Sequence, residues 1–296
     1  MKSELLFKLG LGTAQWGLDY GVSNNSGITT PEEVSHILKF AKDSGIRVID
    51  TAQAYGQAEH ILGRNDLSDF KLITKIPALN YSHNTQKSLE EWLDLKFARS
   101  LSSIGTDTVQ GVLLHNCDDL FSQYGSKIVR FLFKLKKNGR CRQIGVSVYN
   151  SHQVKKILNL FTPDIIQLPF SIFDQRFLSD GTLDKLKDLD IEIHARSIFL
   201  QGLLLMKIEN IPSYFKPWMP DLIKWRRICK DLGSSPQHVA LGYVILNDYI
   251  DHVIVGVESL SQLIDLSSAP CKNDISLFDA LSLSDPEILN PSLWNL

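Results

Sequence analysis

What most constrains this chain is an alternation. Short, continuous apolar runs recur between segments whose apolar residues fall every three or four positions, almost from end to end. The helical segments start and stop on chemical signals. Thr29-Thr30-Pro31-Glu32-Glu33 supplies a threonine cap, a first-turn proline and early acids. Val34, Ile37, Leu38 and Ala41 then form one buried stripe, closed by Gly45, and Ile46–Asp50 reads as a strand.

The same pattern predicts strands at Leu6–Leu11, Phe70–Thr74, Thr108–Leu114, Gln143–Val148, Ile165–Leu168, Ile191–Ala195 and His252–Val255. Between them lie a helix with Leu89, Trp92, Leu93, Phe97, Ser100 and Leu101 on one face, and helices at Ile128–Lys137, Val154–Phe161 and Leu183–Leu189. Two more, at Leu222–Cys229 and Pro236–Leu246, precede the last strand.

Eight strands with both faces apolar call for helices on both sides of a parallel sheet. An open, doubly wound sheet announces its cofactor site with a Gly-rich turn after the first strand. Here Gly10-Leu11-Gly12-Thr13-Ala14-Gln15 lacks the third glycine, so the expected fold is an α/β chain closed as a (β/α)8 barrel. At 296 residues without a Gly/Ser/Pro-rich linker, it reads as one domain over 1–296, with a C-terminal tail from about 270.

In such a barrel, chemistry gathers at the C-terminal strand ends. Val48-Ile49-Asp50 is followed five residues later by Tyr55, the third strand leads into Lys75, and the fourth into His115. Each has a bland explanation alone: Asp50 as a turn cap paired with Lys75, Tyr55 as a loop aromatic, His115 as a structural histidine. Their convergence on one rim favours a joint role.

The set suits carbonyl reduction. Hydride addition puts negative charge on the carbonyl oxygen, which needs a proton donor. An ammonium about 4 Å from a phenol favours the phenolate by roughly 4 kcal/mol gross at an effective dielectric near 20. Asp50 would keep Lys75 charged and aimed, and His115 would hydrogen-bond the substrate oxygen. A barrel hydrolase pairing Asp50 with Glu59 is a different reading, one that leaves Lys75 and Tyr55 unused.

Gly10–Gly17, Val48–Gly56, Leu72–Lys75, Leu113–His115, Ile144–Ser147 and Gln201–Leu204 together resemble the aldo-keto reductase family, specifically a bacterial branch. The match runs in order over nearly the whole chain. It implies Tyr55 as general acid/base tuned by Lys75 and Asp50, His115 as the carbonyl-orienting group, and a nicotinamide cofactor. Cofactor contacts implied by the resemblance are Gly12, Thr13, Ser147, Gln167, Arg196, Ser197, Phe199, Gln201, Gly256, Glu258, Ser259, Gln262 and Asp265.

Several of these positions depart from the family's pattern. Val148 replaces a common Asn, and Arg196 a ring-stacking tyrosine whose place a planar guanidinium can take, though its charge disfavours an oxidised ring. Ser259 with Gln262 also fits a capping box, at a helix N-terminus that welcomes anions. Glu258 replaces the basic residue beside a 2′-phosphate, and Leu266 an Asn. Family habit points to NADP(H), with NAD(H) the alternative that Glu258 opens; no metal is required.

The expected substrate is a small polar carbonyl compound of sugar-like character, met by Arg196, Trp16, Tyr20, Asn116 and Gln175. Specificity is expected in Asn116–Gly125, Met206–Pro220 and Pro270–Leu296. A cofactor-holding regulatory subunit with slow turnover is a second reading that the resemblance allows.

A net charge of −2 gives no reason to expect nucleic acid or an anionic membrane as partner. The basic cluster Lys134, Lys136, Lys137, Arg140 and Arg142 reads as a solvated helix terminus. Cys117, Cys141, Cys229 and Cys271 lack disulfide or zinc spacing. Without a signal-peptide pattern or a spanning apolar run, the expected compartment is the cytoplasm. Nothing in the sequence indicates an oligomeric state.

Overall fold

The computed structural model describes residues 6–24, 26–81, 88–269 and 275–296; Cys271, the first five residues and the start of the tail lie outside them. The strands are β1 (Leu9–Gly12), β2 (Val48–Asp50), β3 (Lys71–Ile76), β4 (Val109–Leu114), β5 (Cys141–Ser147), β6 (Ile165–Pro169), β7 (Glu192–Arg196) and β8 (His252–Gly256). They close into a parallel barrel in sequence order, β8 returning to β1 through Leu9↔Val253 to Gly12↔Gly256.

Helices cover the outside: α1 (Pro31–Asp43), α2 (Ala58–Leu62), α3 (Leu89–Ile104), α4 (Gly125–Lys137), α5 (Ser151–Leu158), α6 (Thr182–Asp188), α7 (Met219–Asp231), α8 (Pro236–Ile245) and α9 (Leu260–Ser267). Their start signals act as expected. Thr30 accepts from the Glu33 amide, Ser88 and Glu91 form a reciprocal capping box, and Gly105 ends α3 at φ 74°. Each cap satisfies an amide or carbonyl that a helix end leaves unpaired.

The expected (β/α)8 barrel is the observed fold. Boundaries move by one to three residues, most usefully at β3, which runs on through Lys75. Elements too short to show a period in the sequence went unforeseen: α2, and the 3-10 turns Leu200–Leu205, Ile208–Asn210 and Ser213–Trp218 between β7 and α7. At the end of α4, Lys134 pairs with Glu90 and Asp94, and Lys136 with Asp164. These exposed pairs match the reading of that cluster as a solvated helix terminus.

Strand alternation divides the buried apolar residues in two. One set packs strands against helices; the other, Val48, Ile73, Leu113, Ile165 and Ile254, fills the barrel interior. Glycines make that interior fit. A Cβ on Gly111 would lie 2.7 Å from Ile73 Cδ1 and 3.1 Å from Ile165 Cδ1, whereas one on Gly145 would lie 2.2 Å from the Ile165 carbonyl oxygen.

Side-chain tips can yield and a ladder carbonyl cannot. We therefore expect Gly145→Ala to destabilise the protein by about 1–3 kcal/mol or more, and Gly111→Ala by distinctly less. Urea denaturation of both variants checks the order; equal losses would contradict this account of the interior.

Candidate active site

A cavity of about 450 Å³ opens at the C-terminal strand ends. Beneath it, adjacent β2 and β3 bring Asp50 and Lys75 together through the register Asp50↔Ile73. The Lys75 side chain is 1% exposed; its Nζ donates to Asp50 Oδ1 and, at 3.1 Å, to the Thr51 carbonyl. Gln167 Nε2, from β6, donates to Asp50 Oδ2 at 2.8 Å, so both carboxylate oxygens are occupied.

Burial pushes the Lys75 ammonium towards losing its proton. The Asp50 carboxylate and the Tyr55 phenol outweigh that push and hold its pKa above the ordinary lysine value. The third hydrogen on Nζ faces Tyr55 OH at 3.3 Å.

Tyr55 reaches this point because the chain turns immediately after β2, with Tyr55 N donating to the Ala52 carbonyl. Gly17 backs that turn, since a Cβ there would sit 1.9 Å from the Tyr55 carbonyl oxygen. His115, one residue past β4, meets the Tyr55 ring edge-on at 5.5 Å between centroids. Burial first, then the nearby Lys75 charge, lowers the His115 pKa to about 4, so the imidazole is neutral near pH 7.

Asp50, Tyr55 and His115 thus line one cavity with Lys75 directly below. Gly12, Ser147, Gln167, Arg196, Ser197, Phe199, Gln201, Gly256, Glu258 and Gln262 also line it, as the sequence reading expects. Arg196 is held over the Tyr149 ring at 4.4 Å and donates to the Val148 carbonyl at 3.1 Å. The loop after β7 is tied to the loop after β1: Gln201 Nε2 donates to Tyr20 OH at 3.1 Å, and Val22 N to the Gln201 carbonyl at 3.0 Å.

Three expected contacts face elsewhere. Thr13 is buried and donates to Thr51 Oγ1, Ser259 caps α9 by accepting from the Gln262 amide, and Asp265 is engaged by Gln237 and His238. Of the residues expected to meet substrate, only Arg196 and Tyr20 reach the cavity. Trp16 is buried with its indole N–H on the Val257 carbonyl, Asn116 caps the turn Cys117–Phe121, and Gln175 is bonded to Ile172 and Phe278 carbonyls.

The expected specificity loops contribute only Pro291 and Ser292 among the described residues; the walls come instead from Gln15–Ser23 and Arg196–Leu205. The paired-carboxylate reading fails as well. Glu59 lies on α2, 4% exposed, accepting from Thr74 Oγ1 at 2.6 Å, and does not line the cavity. Gln15, Tyr149 and Gln237 line the cavity unforeseen. The strand-end rule could have found the first two, which follow β1 and β5 closely; nothing local marks Gln237, which arrives on α8.

Comparison with known proteins identifies the family. The family model described as "Aldo/keto reductase family" matches residues 8–273. The chain is 26% identical to an L-galactose dehydrogenase of Arabidopsis thaliana, covering 97% of this chain and 92% of that protein. It superposes on the holo form of an aldo-keto reductase from Bacillus halodurans with a TM-score of 0.73 at 19% identity, covering 93% and 91% of the two chains. An aldo-keto reductase from Klebsiella pneumoniae in complex with NADPH gives 0.69 at 18% identity, covering 93% and 90%.

The depressed His115 pKa has a sign that can be tested. Below pH 6.5 the unfolded chain protonates this imidazole while the folded one does not until about pH 4. Stability conferred above pH 6.5 is therefore lost as pH falls towards 4, by on the order of 2–3 kcal/mol from this group. Urea denaturation at pH 7.5, 5.5 and 4.5 should show the loss, and His115→Gln should lessen it, the part due to the similarly buried His252 remaining; an unchanged slope in the variant would contradict the assignment.

Proposed function

Because the chain belongs to the aldo/keto reductase family of NAD(P)H-dependent oxidoreductases, we propose that it interconverts a small carbonyl compound and its alcohol with Tyr55 as general acid/base. The observation that carries this reading is Lys75 Nζ, 3.3 Å from Tyr55 OH and bonded to Asp50, beneath a cavity that His115 also lines.

The cavity fits a dinucleotide. It runs from Tyr55 past Ser147, Gln167 and Arg196 to Gly256 and Glu258. At Gly256 the backbone lies close under the Gln15 amide: a Cβ there would sit 2.3 Å from Gln15 Oε1, and that side chain would have to move. Ser147 and Gln167 would hold the nicotinamide amide; Arg196 would lie against its ring; Gly256 and Gln262 would meet the adenosine half. When bound, the reduced cofactor supplies the hydride.

The remaining chemistry belongs to the chain. Tyr55 OH gives its proton to the carbonyl oxygen as negative charge develops there, and the Lys75 ammonium stabilises the phenolate left behind. Asp50 keeps that ammonium buried and directed, and Gln167 fixes Asp50. His115, neutral at working pH, donates an N–H to the same oxygen without adding a competing acid. In the alcohol-oxidising direction, Tyr55 takes the proton back.

Glu258 supports a choice of cofactor. Arg196 is the one Arg or Lys side chain among the residues that line the cavity, and it sits at the Tyr55 side. The adenosine end instead presents the Glu258 carboxylate, which also accepts from Gln262 Nε2 at 3.3 Å. A 2′-phosphate there would meet repulsion, whereas a ribose hydroxyl can donate to it. We assign NAD(H) as the preferred cofactor, against the family habit.

Tyr20, Tyr149, Arg196 and Gln201 give the mouth polar walls. With the similarity to an L-galactose dehydrogenase, they support a polyhydroxylated, sugar-like substrate. No described helix is long and apolar enough to cross a membrane. The buried free thiols of Cys117, Cys141 and Cys229 suit a reducing compartment, which favours the cytoplasm.

Two outcomes follow. Tyr55→Phe should lower kcat for aldose and simple aldehyde reduction by roughly 100-fold or more while leaving NADH binding intact, read by steady-state assay and fluorescence titration. Near-normal turnover would remove Tyr55 from this role. Glu258→Lys should move the NADPH-to-NADH ratio of kcat/KM upward by about tenfold or more, 1.4 kcal/mol per decade, and an unmoved ratio would dissociate Glu258 from cofactor choice.

A further inference from the structure

The opposite mouth of the barrel carries a second cluster of chemistry-bearing side chains, unused by the reading above. Alternation along β7 places Glu192 and His194 on the same face as Arg196, nearer the N-terminal end, and the register His194↔His252 puts the first residue of β8 beside them. Among the described residues, these three form the one group of His, Cys, Asp or Glu whose ligand atoms all lie within 4.8 Å of one another.

We propose that Glu192, His194 and His252 form a binding site for a divalent transition-metal ion of the zinc class, a structural clip between β7 and β8.

The donor set is the first argument. Two imidazoles and one carboxylate suit Zn²⁺ and Co²⁺, and three protein ligands leave a position for water. Spacing is the second. Bonds of about 2.0–2.1 Å in tetrahedral geometry set neighbouring donors roughly 3.3 Å apart. Glu192 Oε1 lies 2.8 Å from His194 Nε2 and 3.4 Å from His252 Nε2, so adjustments of under about an ångström seat an ion.

The cluster is also held and accessible as a site must be. Gln143 Nε2, from β5, donates to Glu192 Oε2 at 2.6 Å and fixes the carboxylate, while Oε1 faces both imidazoles, where an ion would replace its 2.8 Å hydrogen bond with His194 Nε2. His194 is fully buried, whereas the His252 and Glu192 side chains are 17% and 28% exposed, giving an entry from solvent.

The opposing charge is Lys71 at the start of β3, which is exposed. A clip has a purpose here. The β7–β8 ladder has two paired residues, His194↔His252 and Ala195↔Val253, the shortest around the barrel.

The test uses untagged full-length protein, stripped with chelator and titrated with Co²⁺ alone, then Zn²⁺. The expected result is one equivalent of Co²⁺ giving visible ligand-field absorption without a thiolate charge-transfer band, displaced by Zn²⁺, and a Zn²⁺-dependent rise in Tm. His252→Gln and Glu192→Gln, at partly exposed positions, should each weaken Co²⁺ binding tenfold or more while keeping the metal-free circular dichroism. Tyr55→Phe should bind as the parent does, which separates this site from the proposed reaction. Absence of saturable binding, a thiolate band, or parental affinity in both ligand variants would overturn the proposal.

Discussion

A lysine ammonium with 1% of its side chain exposed is the constraint around which the upper half of this barrel is arranged. Removing such a charge from water costs several kcal/mol even after relaxation, and a buried ion pair seldom returns a net gain over apolar packing. The Lys75–Asp50 pair is therefore poorly explained as a stabilising device. What it provides is direction. With Nζ committed to Asp50 and the Thr51 carbonyl, its remaining hydrogen can only face Tyr55. Gln167 reaches across from β6 to hold the other side of Asp50, so strands from two parts of the barrel fix the ammonium that faces the Tyr55 phenol.

The apolar plug beneath makes that arrangement affordable. Val48, Ile73, Leu113, Ile165 and Ile254 fill the barrel below the ion pair, and glycines at 10, 111 and 145 let those branched side chains meet at the axis. Water reaching Lys75 from below would weaken its hold on the phenol by raising the local dielectric. Packing and electrostatics are thus one feature seen twice. The plug also separates the upper cavity from the His–Glu–His cluster at the lower mouth, four residues down β7 from Arg196, or about 13 Å.

How much of this was legible depended on where a residue sits. Asp50, Lys75 and His115 end strands or follow them directly, and strand ends are what hydrophobic pattern locates best; Tyr55 was within reach because it follows the β2 end by five residues. Expected cofactor contacts reach the cavity where backbone position decides, as at Gly12, Ser147, Gln167 and Gly256. They lie outside its lining where a side chain has a competing partner. Thr13 turns to Thr51, Asp265 to Gln237 and His238, and Trp16 to the Val257 carbonyl. Such choices are made by tertiary neighbours, from 27 to 241 positions away in sequence. For the same reason nothing local marked Gln237, or the meeting of Glu192, His194 and His252 across β7 and β8.

The charges along the cavity also bear on how the proposed reaction would run. Arg196 is anchored to the Val148 carbonyl and Ser197, and it lies over Tyr149, so its guanidinium cannot readily withdraw from the Tyr55 side. A fixed cation beside a nicotinamide ring opposes the positive charge that the ring acquires on oxidation. On the proposed reading, the reduced cofactor is held and the oxidised one is pushed away once hydride has moved. Arg196 would then trade some driving force in the chemical step for faster clearance of the spent cofactor. The neutral His115 fits the same scheme: a second cation at that rim would deepen the penalty, and burial with Lys75 below keeps the imidazole uncharged.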